Sequence, residues 1–117
     1  MAILAQLTDD VVVHKFNLTP PMATLGRHPG CEIQIDDSSI SGNHAKITLE
    51  PNKHFPEYLE IFIEDLGSTN GTFINEQPVL GRQRLRNNDI IRLAWNKFKF
   101  IDNLEAKLEK TTHMLYE

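Results

Sequence analysis

Residues 66–75 read LGSTNGTFIN, and this stretch is the most informative part of the sequence. Two glycines and four small hydrogen-bonding residues occupy positions 67–72, a composition typical of a sharp turn. The β-branched and aromatic residues at 72–74 favour a strand directly after the turn. Asn70-Gly71 is also a pair typical of tight hairpins. The stretch therefore predicts a loop between two β-strands, with a hairpin at Asn70-Gly71.

Short strands separated by turn residues fill most of the remaining chain. Apolar residues recur at every second position in the clearest of them, at Leu59, Ile61 and Ile63 and again at Phe98 and Phe100. No helical pattern separates these strands, so the sequence predicts an all-β fold of the sandwich type. The predicted strands cover residues 2–7, 11–16, 22–27, 33–35, 44–49, 58–65, 72–74, 78–80, 90–93 and 97–101.

The tail from Asp102 onward has a different pattern. Asp102 and Glu105 have the spacing of a capping box, and three leucines fall near one helical face, at Leu104, Leu108 and Leu115. We therefore expect one β domain over residues 1–101 and a short C-terminal α-helical extension over residues 102–117. Docking of this helix on the sandwich is the simplest expectation. A dimer contact through the helix, or the stub of a longer protein, are the alternatives.

The composition limits the class of protein. The 117 residues carry 12 basic and 16 acidic side chains, a net charge of −4, which suits one domain and argues against binding nucleic acid by bulk charge. The single cysteine, Cys31, excludes an internal disulfide framework and a zinc site built on several thiolates. The first residues lack a basic region and a long apolar run. We therefore expect no signal peptide, no membrane span and a cytoplasmic location.

Positive charge is concentrated in one segment. Residues 1–80 hold 4 basic and 11 acidic side chains, whereas residues 81–99 hold 6 basic and 1 acidic. Few aromatic residues are interspersed with these cations, so we interpret the basic segment as a solvated face. Contact with an acidic partner or with nucleic acid is the alternative.

Three predicted loops carry the residues best suited to binding an anion, at 25–28, 38–45 and 65–72. Arg27 offers a planar fork of donors that matches a phosphate, and Ser41 and Thr69 offer hydroxyl groups. Glycine-rich turns can also expose backbone N–H groups to an anion. Asn70 has both a donor and an acceptor, which suits contact with the main chain of a ligand.

Three stretches in and beside these loops, at residues 25–27, 41–45 and 66–75, resemble the signature motifs of the forkhead-associated (FHA) family, in the same order and at the same spacing. Residues 31–37 and 88–93 also resemble family segments, so the resemblance covers roughly residues 1–101. It implies an eleven-stranded β-sandwich of two twisted sheets. The loops at one end of such a sandwich bind a phosphothreonine of a partner protein.

The resemblance also implies a role for each matching residue. Arg27 and Ser41 would bond phosphate oxygens, with help from Thr69, and Asn70 would bond the peptide backbone beside the phosphothreonine. Three residues would shape the loops: Gly26, His44 and Gly71. The resemblance assigns no residues to the selection of neighbouring ligand residues; our own candidates for that role are Ser39, Gly42 and Asn43, together with the loop at residues 52–56. Gly42 departs from the family, which often has a polar or basic side chain there.

The resulting hypothesis is a phosphothreonine-dependent adaptor whose partner is a Ser/Thr kinase or its substrate, with no cofactor and no metal. An enzyme is not expected, because the sequence has no nucleophile elbow and no P-loop lysine. The alternative is a structural or oligomerisation module that keeps the FHA scaffold, binds its partner independently of phosphate and self-associates through the C-terminal helix.

Overall fold

The computed structural model describes residues 2–102, so the predicted C-terminal helix and its self-association lie outside the described residues. Eleven strands make up this part of the chain, and no helix within it is long and apolar enough to cross a membrane. The strands are β1 Ala2–Thr8, β2 Val11–Leu18, β3 Met22–Gly26, β4 Ile33–Gln34, β5 Ala45–Pro51, β6 Leu59–Asp65, β7 Thr72–Ile74, β8 Gln77–Pro78, β9 Arg82–Arg84, β10 Ile90–Leu93 and β11 Asn96–Asp102.

The strands form two sheets, which confirms the predicted all-β sandwich. One sheet has six strands in the order β2-β1-β11-β10-β7-β8, and the other has five in the order β4-β3-β5-β6-β9. The pairs are antiparallel except for β3 with β4, which run parallel. In the six-stranded sheet Ala2 pairs with Asp102, so the first and last described residues are neighbours.

The core lies between the sheets and is built from the alternating apolar residues. Ile61 and Ile63 on β6 and Phe98 and Phe100 on β11 are all buried, as the alternation predicts. Full burial of each such side chain contributes roughly 1.5–3 kcal/mol to the free energy of unfolding. The alternation therefore fixes which face of β6 and β11 points inward, and with it the register of both strands.

The sequence does not predict β9. Its three residues, Arg82–Arg84, form an edge strand that pairs with β6, and their side chains lack the apolar alternation of an inward-facing strand. The Arg82 guanidinium lies 3.7 Å from the centre of the Phe62 ring, on the outside of the sheet. The strand is held by backbone pairing and by this stacking, neither of which leaves an apolar pattern in the sequence.

The basic segment is partly neutralised within the chain. Arg82 pairs with Glu50, Arg84 with Glu60 at 3.2 Å, and Arg92 with Glu76 at 2.9 Å. These contacts support the interpretation of this segment as a solvated face.

The predicted hairpin at Asn70-Gly71 is wrong. Strand β6 belongs to the five-stranded sheet and β7 to the six-stranded sheet, so the loop between them crosses from one sheet to the other. Gly71 has φ of +86°, a value that favours glycine, and the crossing uses this freedom. The tight hairpin instead joins β7 to β8 at Asn75-Glu76, where φ is 49° and 66°.

Candidate functional site

Three loops meet at one end of the sandwich, and Ser41 lies at their meeting point. The loops follow β3, precede β5 and connect β6 to β7. The Arg27 N–H donates to the Ser41 carbonyl at 3.0 Å, and the Thr69 N–H donates to Ser41 Oγ at 3.1 Å. Residues separated by 14 and 28 positions in the chain are therefore held together around one serine.

Gly26 allows the first two loops to approach closely. A Cβ atom at this position would lie 2.1 Å from the carbonyl oxygen of Gly42 and 3.1 Å from Cys31 Sγ, so no side chain fits there. The same Gly42 carbonyl accepts a hydrogen bond from the His28 N–H at 3.1 Å. The absence of a side chain at Gly26 thus brings Arg27 and Ser41 into hydrogen-bond distance.

His44 links the second loop to the third from inside the protein. Its ring is fully buried; Nδ1 accepts a hydrogen bond from the Ser41 N–H at 3.1 Å, and Nε2 donates to the Gly71 carbonyl at 2.9 Å. These partners require a proton on Nε2 and a lone pair on Nδ1, which defines the neutral tautomer. The imidazole is occupied on both sides and therefore acts as a strut between the loops.

Asp65 ends β6 and organises the turn that follows. Its Oδ2 accepts hydrogen bonds from the N–H groups of Gly67 and Ser68 at 2.9 Å, and its Oδ1 accepts from the hydroxyl groups of Ser68 and Thr72. Burial acts to raise the pKa of Asp65, but the bonds from Ser68, Thr72 and the backbone outweigh it and hold the pKa below its usual value. The ionised carboxylate fixes the 66–71 loop.

Asn70 fastens the third loop to the second. Its Nδ2 donates to the Ser39 carbonyl at 2.8 Å. Ser39 is held in turn by Asp37, which accepts hydrogen bonds from the Ser39 hydroxyl and N–H at 2.6 and 2.8 Å; both lower the pKa of Asp37. The Asn70 Oδ1 accepts no hydrogen bond from the rest of the described chain, which leaves it oriented by the bonded amide and available to a ligand N–H.

Several donors around Ser41 have no acceptor within residues 2–102. The Arg27 guanidinium is exposed and forms neither a hydrogen bond nor an ion pair there, and the hydroxyl protons of Ser41 and Thr69 are likewise uncommitted. The backbone N–H groups of Gly42 and Asn43 also donate to none of the described residues. A cluster of uncommitted donors on a fixed scaffold suits an anion with several acceptor oxygens.

The predicted specificity residues fall into two groups. Ser39, Gly42 and Asn43 lie in the loop that carries Ser41, beside the uncommitted donors. The prediction that the loop at residues 52–56 contributes to specificity is wrong. This loop joins β5 to β6 at the end where Pro51 pairs with Leu59. The site lies at the other end of these strands, where Ala45 pairs with Asp65.

Two contributors to the site are not anticipated from the sequence. Asp65 is one, although an aspartate directly before a glycine-rich turn is a recognisable sign of a carboxylate that accepts backbone N–H groups. Cys31 is the other: it is buried, and its thiol donates to the Gly42 carbonyl, with 3.3 Å between Sγ and the oxygen. No pattern in the sequence indicates this contact.

Comparison with known proteins identifies the family of this chain. A family model of the FHA domain matches residues 23–94. The glycogen accumulation regulator GarA of Mycolicibacterium smegmatis is 34% identical over 87 residues, which cover 74% of this chain and 49% of that protein. The oxoglutarate dehydrogenase inhibitor of Corynebacterium efficiens is 33% identical over 87 residues, with coverage of 74% and 54%. The chain spans about half the length of these curated relatives.

A solved structure has the same fold. This FHA domain, from a study of phosphothreonine-dependent FHA domain interactions, matches with a TM-score of 0.73 at 25% identity, over 86% of this chain and 95% of its own. The matched segment of the family model runs from β3 to β10 and includes all three loops that meet at Ser41. The chain therefore belongs to the FHA domain family of phosphothreonine-binding modules.

Proposed function

We propose that this chain binds a phosphothreonine of a protein partner through Arg27, Ser41 and Thr69, and the adjoining peptide backbone through Asn70. The cluster of uncommitted donors around Ser41 carries the proposal. Arg27 would form a charge-assisted pair with phosphate oxygens, and the two hydroxyl groups would donate to the remaining acceptors. Asn70 Oδ1 would accept a backbone N–H of the peptide, a contact that adds affinity without sequence preference.

The expected affinity follows from these contacts. A phosphothreonine brings a charge of about −1.5 to −2 at neutral pH and three acceptor oxygens. Each charge-assisted hydrogen bond contributes on the order of 1.5–3 kcal/mol. Three or four such bonds, less the entropy lost when the peptide is ordered, correspond to a dissociation constant of roughly 1 µM. Such an affinity suits a reversible signalling contact.

The partner we propose is a Ser/Thr kinase or a substrate of one, because such a kinase creates the ligand. Two relatives carry the names of a regulator and of an enzyme inhibitor, which supports a role exerted by binding to other proteins. Of the side chains in the site, the His44 imidazole is the one best suited by its chemistry to act as a catalytic base. Both of its ring nitrogens are hydrogen-bonded to loop backbone groups. We therefore assign the chain a binding role without catalysis.

Calorimetry on one peptide library in phosphothreonine, phosphoserine and unmodified forms tests the proposal. We expect wild type to bind the phosphothreonine form. Arg27→Ala should lower the affinity for this form by at least about tenfold, because it removes a contact worth about 1.4 kcal/mol or more. Arg86→Ala is the matched control. It removes one exposed positive charge from the loop after β9, at the far end of the sandwich, and should leave binding unchanged.

Two outcomes would contradict the proposal. Equal binding to all three peptide forms would favour the phosphate-independent module. Equal losses in Arg27→Ala and Arg86→Ala would mean that net charge, and not the site at Ser41, attracts the ligand.

A further inference from the structure

Three lysines share the outer face of the six-stranded sheet. In β11 the fully buried phenylalanines alternate with Lys97 and Lys99, so both lysines point outward. Lys15 on β2 and Lys99 both pair with Ala5 on β1, which places them in one row across the sheet, about 10 Å apart. We name Lys15, Lys97 and Lys99 the lysine face.

The lysine face has no acidic counterpart within residues 2–102. None of its three amino groups lies within ion-pair distance of a carboxylate there. The outer face of the five-stranded sheet differs: Lys46 pairs with Glu64 at 3.0 Å, and both arginines of β9 pair with glutamates of β5 and β6. The chain thus neutralises the outward cations of one sheet and leaves the lysines of the other available to a negatively charged partner.

Strand β2 forms an edge of the sheet beside the lysine face. It is the outermost strand of the six, eight residues long, and beyond β1 it pairs with no other strand in the described part of the chain. Val11, Val12 and Val13 are 61%, 43% and 55% exposed, and no proline interrupts the strand. A long edge strand of this kind is a template on which an added strand can continue the backbone ladder.

The two sides of β2 differ in chemistry. Lys15 lies on the outer side of the sheet, whereas His14 and Phe16 lie on the inner side, with their rings stacked at 4.8 Å between centres. An added strand with alternating acidic and apolar residues would set its carboxylates beside Lys15 and its apolar side chains over the two rings. Strand β2 itself has no acidic residue, so a second copy of this chain, paired through β2, is a poorer match.

We propose that β2 and the lysine face bind an extended acidic segment of a partner protein, which adds to β2 as a further strand. The segment carries Asp or Glu at alternate positions, beside Lys15, and apolar residues between them. Lys97 and Lys99 add to the positive potential that attracts it. Binding here needs no phosphate, and β2 contributes no residue to the three loops that meet at Ser41. The domain can therefore hold two partners, or two parts of one partner, at the same time.

A short synthetic peptide of alternating glutamate and valine tests this surface, with alternating glutamine and valine, and lysine and valine, as comparisons. Fluorescence anisotropy of the labelled peptides measures binding to the full chain. We expect the glutamate peptide to bind at least about fivefold more tightly than the glutamine peptide. Lys15→Glu should remove this preference. Lys53→Glu, the same charge change at an exposed lysine in the loop between β5 and β6, is the matched control and should keep it.

Hydrogen exchange of backbone amides gives a second readout. Addition of a strand should slow exchange in β2 and leave it unchanged in β9, an edge strand of the other sheet. A strand presents its N–H groups alternately to its two edges, and only one edge of the peptide can face β2. Methylation of the backbone nitrogens along one edge of the peptide should therefore abolish binding, and methylation along the other edge should not.

Several outcomes would overturn the proposal. Equal binding of the glutamate and lysine peptides, equal losses in Lys15→Glu and Lys53→Glu, or unchanged exchange in β2 would each do so. Tighter binding of phosphatidylserine vesicles or of a single-stranded DNA, lost in Lys15→Glu, would assign the lysine face to that class of partner instead. Dimerisation of the chain through β2 would assign the edge to a second copy. Each of these results leaves phosphothreonine binding at Ser41 to be judged on its own peptides.

Discussion

At the scale of single residues, His44 and Gly26 show how the site depends on groups that do not face the ligand. His44 spans from the Ser41 N–H to the Gly71 carbonyl, and Gly26 leaves space for the carbonyl of Gly42. Both act on the position of Ser41 and not on the anion. The uncommitted donors are therefore in place before a ligand arrives, which reduces the entropy cost of binding.

Replacement of His44 tests this strut. His44→Ala leaves the Ser41 N–H and the Gly71 carbonyl without partners in a buried place, and it opens a cavity. We expect the free energy of unfolding to fall by about 2–4 kcal/mol, measured by urea denaturation. His54→Ala, an exposed histidine in the loop between β5 and β6, should change it by less than about 0.5 kcal/mol. Similar losses in the two variants would show that His44 is not a strut.

Alanine substitutions at Gly26, which ends β3, and at Gly42, in the loop before β5, are expected to have opposite effects on stability. Gly26→Ala forces a Cβ atom to within 2.1 Å of the Gly42 carbonyl oxygen and should destabilise the protein by about 2 kcal/mol or more. At Gly42 an added Cβ atom would meet no other atom within 4 Å, and the φ of this residue is not positive. Gly42→Ala should therefore be neutral or stabilise by up to about 1 kcal/mol, because it restricts the unfolded chain. Thermal unfolding of the pair measures both effects, and a destabilised Gly42→Ala would contradict this account.

At the scale of elements, each strand except β9 overlaps a strand predicted from the sequence. Alternation at Ile61 and Ile63 identifies β6, whereas β9 lies at an edge and is held by backbone pairing that leaves no such pattern. Gly71 has a positive φ because the chain crosses between the sheets there. The pair Asn70-Gly71 would be equally compatible with a hairpin, so the local sequence does not distinguish the two. The loops that meet at Ser41 could be predicted because their spacing matches a family. The exposure of Leu80 and Trp95 could not be predicted, because sequence does not tell which apolar residues stay exposed.

The turn after β6 depends on the charge of Asp65. Because hydrogen bonds hold the pKa of this carboxyl below its unfolded value, its stabilisation is present above the unfolded pKa and is lost as the pH falls through the folded pKa. Asp65→Asn should therefore lower the free energy of unfolding at pH 7, and the difference from wild type should shrink as the pH falls below about 4. Denaturant unfolding at several pH values measures this. Asp36→Asn is an exposed control expected to match wild type at pH 7, and a difference for Asp65→Asn that persists in acid would contradict the prediction.

At the scale of the whole molecule, the proposed anion site lies within the acidic part of the chain. Residues 1–80 carry seven more acidic than basic side chains, and the arginines of the basic segment that pair within the chain do so with Glu50, Glu60 and Glu76. Under the proposed function, selectivity for a phosphorylated partner comes from the directed donors around Ser41. The overall field disfavours anions that cannot reach those donors.

Ligand binding should stabilise the whole domain. A phosphothreonine peptide at about 100 times its dissociation constant adds roughly 2.7 kcal/mol to the free energy of unfolding, which raises Tm by about 10 °C for a domain of this size. Scanning calorimetry with the phosphorylated peptide measures the shift, and the unmodified peptide is the control. A rise of the same size with Arg27→Ala would place the bound peptide elsewhere.

The pairing of Ala2 with Asp102 has a consequence for how the domain can be attached to something else. Both residues leave the sheet side by side at the end of the sandwich opposite Ser41. A carrier, a surface or a neighbouring domain joined at either position would be attached at the end of the sandwich away from the three loops that meet at Ser41. Attachment and ligand binding are thus separated by the length of the sandwich, and the domain should bind the same peptides whichever of these two positions anchors it.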